Sequence, residues 1–199
     1  RGKLGEGRAV EVFRGGRRET VGEYLTDFHG REAAEFIARG GAEPWFLYVG
    51  FNVPHLPLQV PQKYYDRFPG IADENTRLYA AVVSALDDAV GTILAAVRAA
   101  GAGDDTLVFF LSDQGGIDDL PGVAANGPFR GCKQVLYEGG LRVPYSVTWP
   151  RRIPAGGVYR EPVMTTDIFA TALAAAGVGD APQRYRLDGV DVVPFLTGA

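Results

Sequence analysis

At 199 residues, with 46% hydrophobic and 22% charged side chains, the chain can bury the core of one sizeable domain and has the composition of a globular protein. A net charge of -4 with no basic stripe points away from a nucleic-acid partner, and no uninterrupted apolar run is long enough to span a bilayer. Cys132 is the sole cysteine, which excludes an intrachain disulfide and leaves the redox compartment unread.

The sequence opens on Arg1 instead of Met, so we expect it to begin inside a longer polypeptide. Residues 1–22 form a Gly-, Arg- and Glu-rich lead-in. Alternation in Ala9-Val10-Glu11-Val12-Phe13 predicts a short edge strand, with Gly15-Gly16 as a turn. Thr26-Asp27 offers a helix cap, and a helix is expected over 28–39 with Ala33, Phe36 and Ile37 on its apolar face. Trp45 to Phe51 is nearly all apolar and reads as a strand covered on both faces. A proline-rich loop with His55 follows it.

The spacing of Tyr79, Val82, Leu86, Val90, Ile93 and Val97 predicts a helix over 78–100, interrupted as an apolar stretch by Asp87, Asp88 and Arg98. Thr106 to Leu111 reads as a buried strand. A polar loop covers 113–140, Val143 to Trp149 reads as a further strand, and Thr166-Asp167 precedes a helix over 168–176. Strands alternating with helices imply an α/β layered fold.

The strand 106–111 ends in Ser112-Asp113-Gln114-Gly115-Gly116, where open α/β sheets place ligands. Asp113 and Gln114 offer hard oxygens, which suit Ca²⁺ before Mg²⁺; the same pair also serves as an ordinary turn after a strand. Two donors fall short of the roughly six to eight that Ca²⁺ takes, so other ligands must come from elsewhere. His55 reads either as a positioned donor at the end of its strand or as a structural histidine bonded to a loop carbonyl. His29 reads as a packing or solvated residue. Lys133, close to Arg130, can act as a point charge on a sulfate or phosphate oxygen, or stand as an exposed loop lysine. Cys132 has no identifiable partner and reads as a packing residue. Asp87 and Asp88 point about 100° apart on a helix and cannot readily share one ion, so a solvated or cap-bonding face suits them better.

Taken in order, several segments closely resemble the sulfatase family. They include Pro44 to Val49 with Asn52-Val53-Pro54-His55-Leu56-Pro57-Leu58, Tyr79 to Gly91, and Thr106 to Gly116. Arg130-Gly131-Cys132-Lys133, Tyr137 to Pro144 and Leu187-Asp188-Gly189-Val190-Asp191 follow, so the resemblance covers 23–199. It implies an alkaline-phosphatase-like fold: a layered mixed sheet with helices on both faces, here incomplete, within one partial catalytic domain over 1–199. It also implies hydrolysis of sulfate esters with a formylglycine nucleophile and, usually, Ca²⁺. On this resemblance Asp113 and Gln114 are metal ligands, and His55 and Lys133 contact the sulfate or its leaving oxygen. The implied partner is a sulfated small molecule or glycan.

The sequence departs from the family pattern at three places. Gln114 stands where Asn is usual, and Cys132 where a Gly usually precedes the lysine. The aspartate pair and C/S-x-P-x-R segment that family members carry toward the N-terminus are not in this sequence, so we expect a chain that is inactive alone. A non-catalytic binding module of the same fold, and a phosphate or phosphonate ester hydrolase of the same superfamily, are the alternative readings. Exposed sheet edges lead us to expect self-association.

Overall fold

Short strands open the chain: β1 spans Lys3–Leu4, β2 Val10–Arg14 and β3 Arg17–Val21. Gly15 and Gly16 between β2 and β3 take φ of 56° and 80°. Positive φ at both central residues makes the two-residue turn whose twist matches a hairpin, and β2 and β3 pair antiparallel with Val10 opposite Val21. The edge strand and its turn thus fall where the alternation places them; the polar partner strand Arg17–Val21 had no apolar signal. The computed structural model describes residues 3–4, 9–41, 43–117, 123, 126–178 and 186–198.

α1 covers Leu25–Arg39 and buries Phe28, Ala33 and Ile37 on one face, so it starts three residues before the expected 28. Phe36, expected in the core, is partly exposed but meets the Trp45 ring edge-on at 6.4 Å. β4 (Gln59–Val60) pairs in parallel with β1, and α2 covers Gln62–Tyr65. α3 runs over Glu74–Ala99 and begins at Asp73, whose side chain accepts a 2.8 Å bond from the Thr76 amide. Its stripe of Leu78, Ala81, Val82 and Ala85 joins Leu58, Val60, Tyr64 and Tyr65 in the main core. α1 crosses α3 where Gly30 meets Ala89; a Cβ on Gly30 would sit 3.0 Å from that of Ala89. Only small residues permit so close an approach. By length and composition α3 passes as a membrane span, which corrects the expectation that no stretch does; it also packs a buried stripe against α1 and α2.

These elements, up to residue 102, make one compact unit; residues 103–117 and those from 126 onward make a second. In the second, a 3-10 turn at Gly103–Asp105 leads to β5 (Val108–Leu111). α4 is the single turn Glu138–Leu141, and β6 (Tyr145–Thr148) pairs antiparallel with β5, Leu111 opposite Tyr145. α5 spans Thr166–Ala175 and α6 Val193–Thr197.

The chain is therefore α/β with both parallel and antiparallel pairing. Among the described residues its strands form three two-stranded ladders, an incomplete form of the expected mixed sheet. Residues 45–51 are in no ladder. Their exposure alternates, with Phe46 72% and Tyr48 83% exposed, so one face is covered and not two. β5 is likewise half-buried, since it has β6 on one edge and Phe110 is 44% exposed.

Candidate functional site

β5 delivers the backbone into a turn at 112–116 that is bonded on several sides. The Ser112 amide donates to the Pro144 carbonyl at 3.1 Å, and the Ser112 hydroxyl donates to the Gln114 carbonyl at 2.9 Å. Asp113 is exposed and Gln114 half-buried, and the Gln114 side-chain amide donates to the Asp113 carboxylate at 3.2 Å. The Gly115 amide donates to the Gly140 carbonyl at 3.0 Å. A Cβ on Gly115 would overlap the Gly139 carbonyl oxygen, so glycine is required by this close approach.

The loop after residue 126 wraps this turn. The Lys133 amide donates to the Gly116 carbonyl at 2.9 Å, and the Gly139 amide to the Arg130 carbonyl at 2.8 Å. Arg130 lies over the Tyr137 ring at 4.1 Å, fixing the loop by a cation–π contact. Gln134, beside Lys133, has φ of 74°, the only positive φ outside glycine among the described residues. Cys132 is half-buried and its thiol bonds the Lys133 carbonyl at 3.4 Å, in keeping with a packing residue. The polar loop expected over 113–140 is described at 113–117, 123 and 126–140; its other residues lie outside the described set.

Asp113, Gln114 and Lys133 thus belong to one hydrogen-bonded substructure. His55 is built into the other unit. It is exposed, its amide donates to Asn52 at 3.2 Å, and its Nδ1 lies 2.7 Å from the Leu56 carbonyl. A carbonyl only accepts, so Nδ1 carries a proton in this contact. The contact with a loop carbonyl matches the structural reading of His55, and it also fixes the tautomer that a positioned acid or base needs.

As a candidate metal site, Asp113 and Gln114 offer side-chain oxygens of the kind a hard cation takes, two of the roughly six to eight that Ca²⁺ needs. No group of three or more His, Cys, Asp or Glu that could hold a metal ion is gathered among the described residues. Asp88, read as solvated, pairs with Arg67 through two bonds of 2.9 and 2.6 Å, and the guanidinium holds its carboxyl below the usual range. The residue that sequence reasoning missed is Asn126. Its carboxamide bonds both the amide and the carbonyl of Gly116, at 2.8 and 3.0 Å. A lone Asn in a loop carries no periodic or motif signal, so nothing in the sequence singled it out.

Comparison with known proteins bears on these residues. A family model described as Sulfatase matches residues 6–178. N-acetylgalactosamine-6-sulfatase of Canis lupus familiaris is 35% identical over 178 residues, which is 87% of this chain and 33% of that protein. Arylsulfatase J of Mus musculus is 33% identical over 172 residues, 86% of this chain and 28% of that protein. The crystal structure of Ps i-CgsB superposes with a TM-score of 0.88 at 34% identity, covering 94% of this chain and 41% of its own; a second structure of it holds k-i-k-neocarrahexaose. The chain spans about a third of the length of the curated relatives it matches. Its solved neighbours share the alkaline-phosphatase-like α/β fold, and the chain belongs to the sulfatase family.

Proposed function

We propose that this chain supplies part of the metal and sulfate site of a hydrolase acting on sulfate esters. The observation that carries the reading is the bond from the Lys133 amide to the Gly116 carbonyl, which ties a cation-bearing loop to the turn that bears Asp113 and Gln114. Asp113 and Gln114 would hold Ca²⁺ through their side-chain oxygens, together with ligands from outside this pair. A divalent cation held by Asp113 and Gln114 would supply positive charge for the oxygens of the transferring group. Lys133 gives its ammonium to a sulfate oxygen as a point charge. His55, with its tautomer fixed by Leu56, exchanges a proton or hydrogen bond at Nε2 with the leaving oxygen. The formylglycine nucleophile of the family has no counterpart residue in this sequence.

The substrate class we favour is a sulfated glycan. Relatives named N-acetylgalactosamine-6-sulfatase and a neighbour holding k-i-k-neocarrahexaose support it. Purified residues 1–199 should not turn over 4-nitrophenyl sulfate with or without Ca²⁺; metal-dependent release of nitrophenol would refute this. In the full polypeptide that carries this chain, Lys133→Ala and His55→Ala should each lower kcat/KM for sulfated oligosaccharides by about 10²-fold or more, the usual cost of losing one charge-stabilising group. Unchanged turnover in both variants would remove these residues from the site.

A further inference from the structure

We propose that Asn126 is a positioning residue for the anion-binding face of this site. It would act by locking the turn of Asp113 and Gln114 to the loop of Lys133, and the proposal rests on the reading of that site given above. The Asn126 Oδ1 accepts from the Gly116 amide at 2.8 Å. Its Nδ2 donates to the Gly116 carbonyl at 3.0 Å and to the Gly131 carbonyl at 3.3 Å. One planar group therefore satisfies both backbone functions of Gly116 and reaches across to the residue two before Lys133. The same Gly116 carbonyl takes the 2.9 Å bond from the Lys133 amide, so Asn126 and Lys133 converge on one oxygen.

This arrangement calls for an acceptor and two donors on one short carboxamide. Aspartate keeps the shape and the acceptor but has no donor, and it would bring a negative charge against two carbonyl oxygens. Glutamine is longer by a methylene. Asn126 is half-buried, and the turn packs glycine against glycine, with no side chain at Gly115, Gly116, Gly139 or Gly140 to hold it in place. The polar clamp does the work that side-chain packing does elsewhere. Losing it would leave the Lys133 loop held to the Asp113–Gln114 turn by backbone bonds alone, loosening both while the β5–β6 ladder stays intact.

The test is amide hydrogen exchange read by mass on the intact protein, with sodium sulfate and with sodium chloride at equal ionic strength. In the wild type, peptides covering 113–117 and 131–135 should slow further in sulfate, and Lys133→Ala should abolish that response. Asn126→Asp should speed exchange in both peptides about tenfold, the effect of losing bonds worth one decade in local opening, and should also abolish the sulfate response. Peptides over β6 should be unchanged, which separates local release from unfolding. If Asn126→Ala unfolds the second unit, the near-isosteric Asn126→Asp still decides the matter. Wild-type exchange or a retained sulfate response in Asn126→Asp overturns the positioning role while leaving the site reading in place. A wild type that does not respond to sulfate, or a Lys133→Ala that responds as well as wild type, overturns the site reading and the proposal with it.

Discussion

His29 lies on α1 between the rings of Phe28 and Phe51, 5.9 Å from each centroid. Its Nδ1 is buried with no hydrogen-bond partner, and burial lowers its pKa from the ordinary 6.5. The neutral ring is therefore the form the fold accepts. Protonation is easier in the unfolded chain, so stability is full above about pH 6.5 and declines as pH falls through the lowered folded value. Urea unfolding at pH 7.5 and 5.5 should show a larger loss of midpoint in the wild type than in His29→Gln; equal losses would sink the argument. At this scale the sequence was informative where chemistry is local. The turn at Asp113 is readable from neighbours in the chain, whereas His29 packs on Phe51 and Asp88 pairs with Arg67, each more than twenty residues away. Asn126 was not readable, because its partners Gly116 and Gly131 are ten and five residues away and no periodicity links them.

Among the elements, α5 shows how one buried carboxylate can anchor a helix and a tail together. Asp167, expected just ahead of the helix, sits within its first turn. Its Oδ2 accepts from the Met164 amide at 2.7 Å and its Oδ1 from the Val190 amide at 2.9 Å. Thr171, one turn on, accepts from the Val192 amide at 3.0 Å through its buried hydroxyl. Gly189 passes so close to the Thr166 carbonyl that a Cβ there would overlap it. The segment 187–192 is thus docked on α5 by polar contacts to a buried acid. Asp167→Ala removes two charge-assisted bonds and should cost about 3 kcal/mol, with Asp167→Asn costing less because it keeps the shape and one acceptor. Thermal or denaturant unfolding measures both; a loss under about 0.5 kcal/mol for the alanine variant would show that the tail docks without the carboxylate. The helices α1, α3 and α5 were legible because 3.6-residue periodicity survives in any context. β1 and β4 were not, since two-residue strands paired across more than fifty positions leave no local pattern.

For the whole molecule, the unequal fate of the apolar segments is the main departure from what the sequence implied. Residues 45–51 and β5 read as strands covered on both faces, yet each is covered on one. An all-apolar strand reports that both faces are to be covered, and says nothing about which residues cover them. The consequence is exposed apolar surface in each unit: Phe46 and Tyr48 in the first, Phe110, Leu136 and Phe169 in the second. A segment outside any ladder with exposed aromatic side chains can recruit another chain. We therefore propose that purified 1–199 self-associates. Sedimentation velocity at micromolar concentrations should give species larger than 21.3 kDa. The double substitution Phe46→Thr, Tyr48→Thr should shift the distribution toward monomer, because it removes two strongly exposed rings and puts strand-compatible residues in their place. A wild type that stays monomeric to about 100 µM, well above the range in which exposed edges associate, would mean that these faces are too small or too well solvated to recruit a partner.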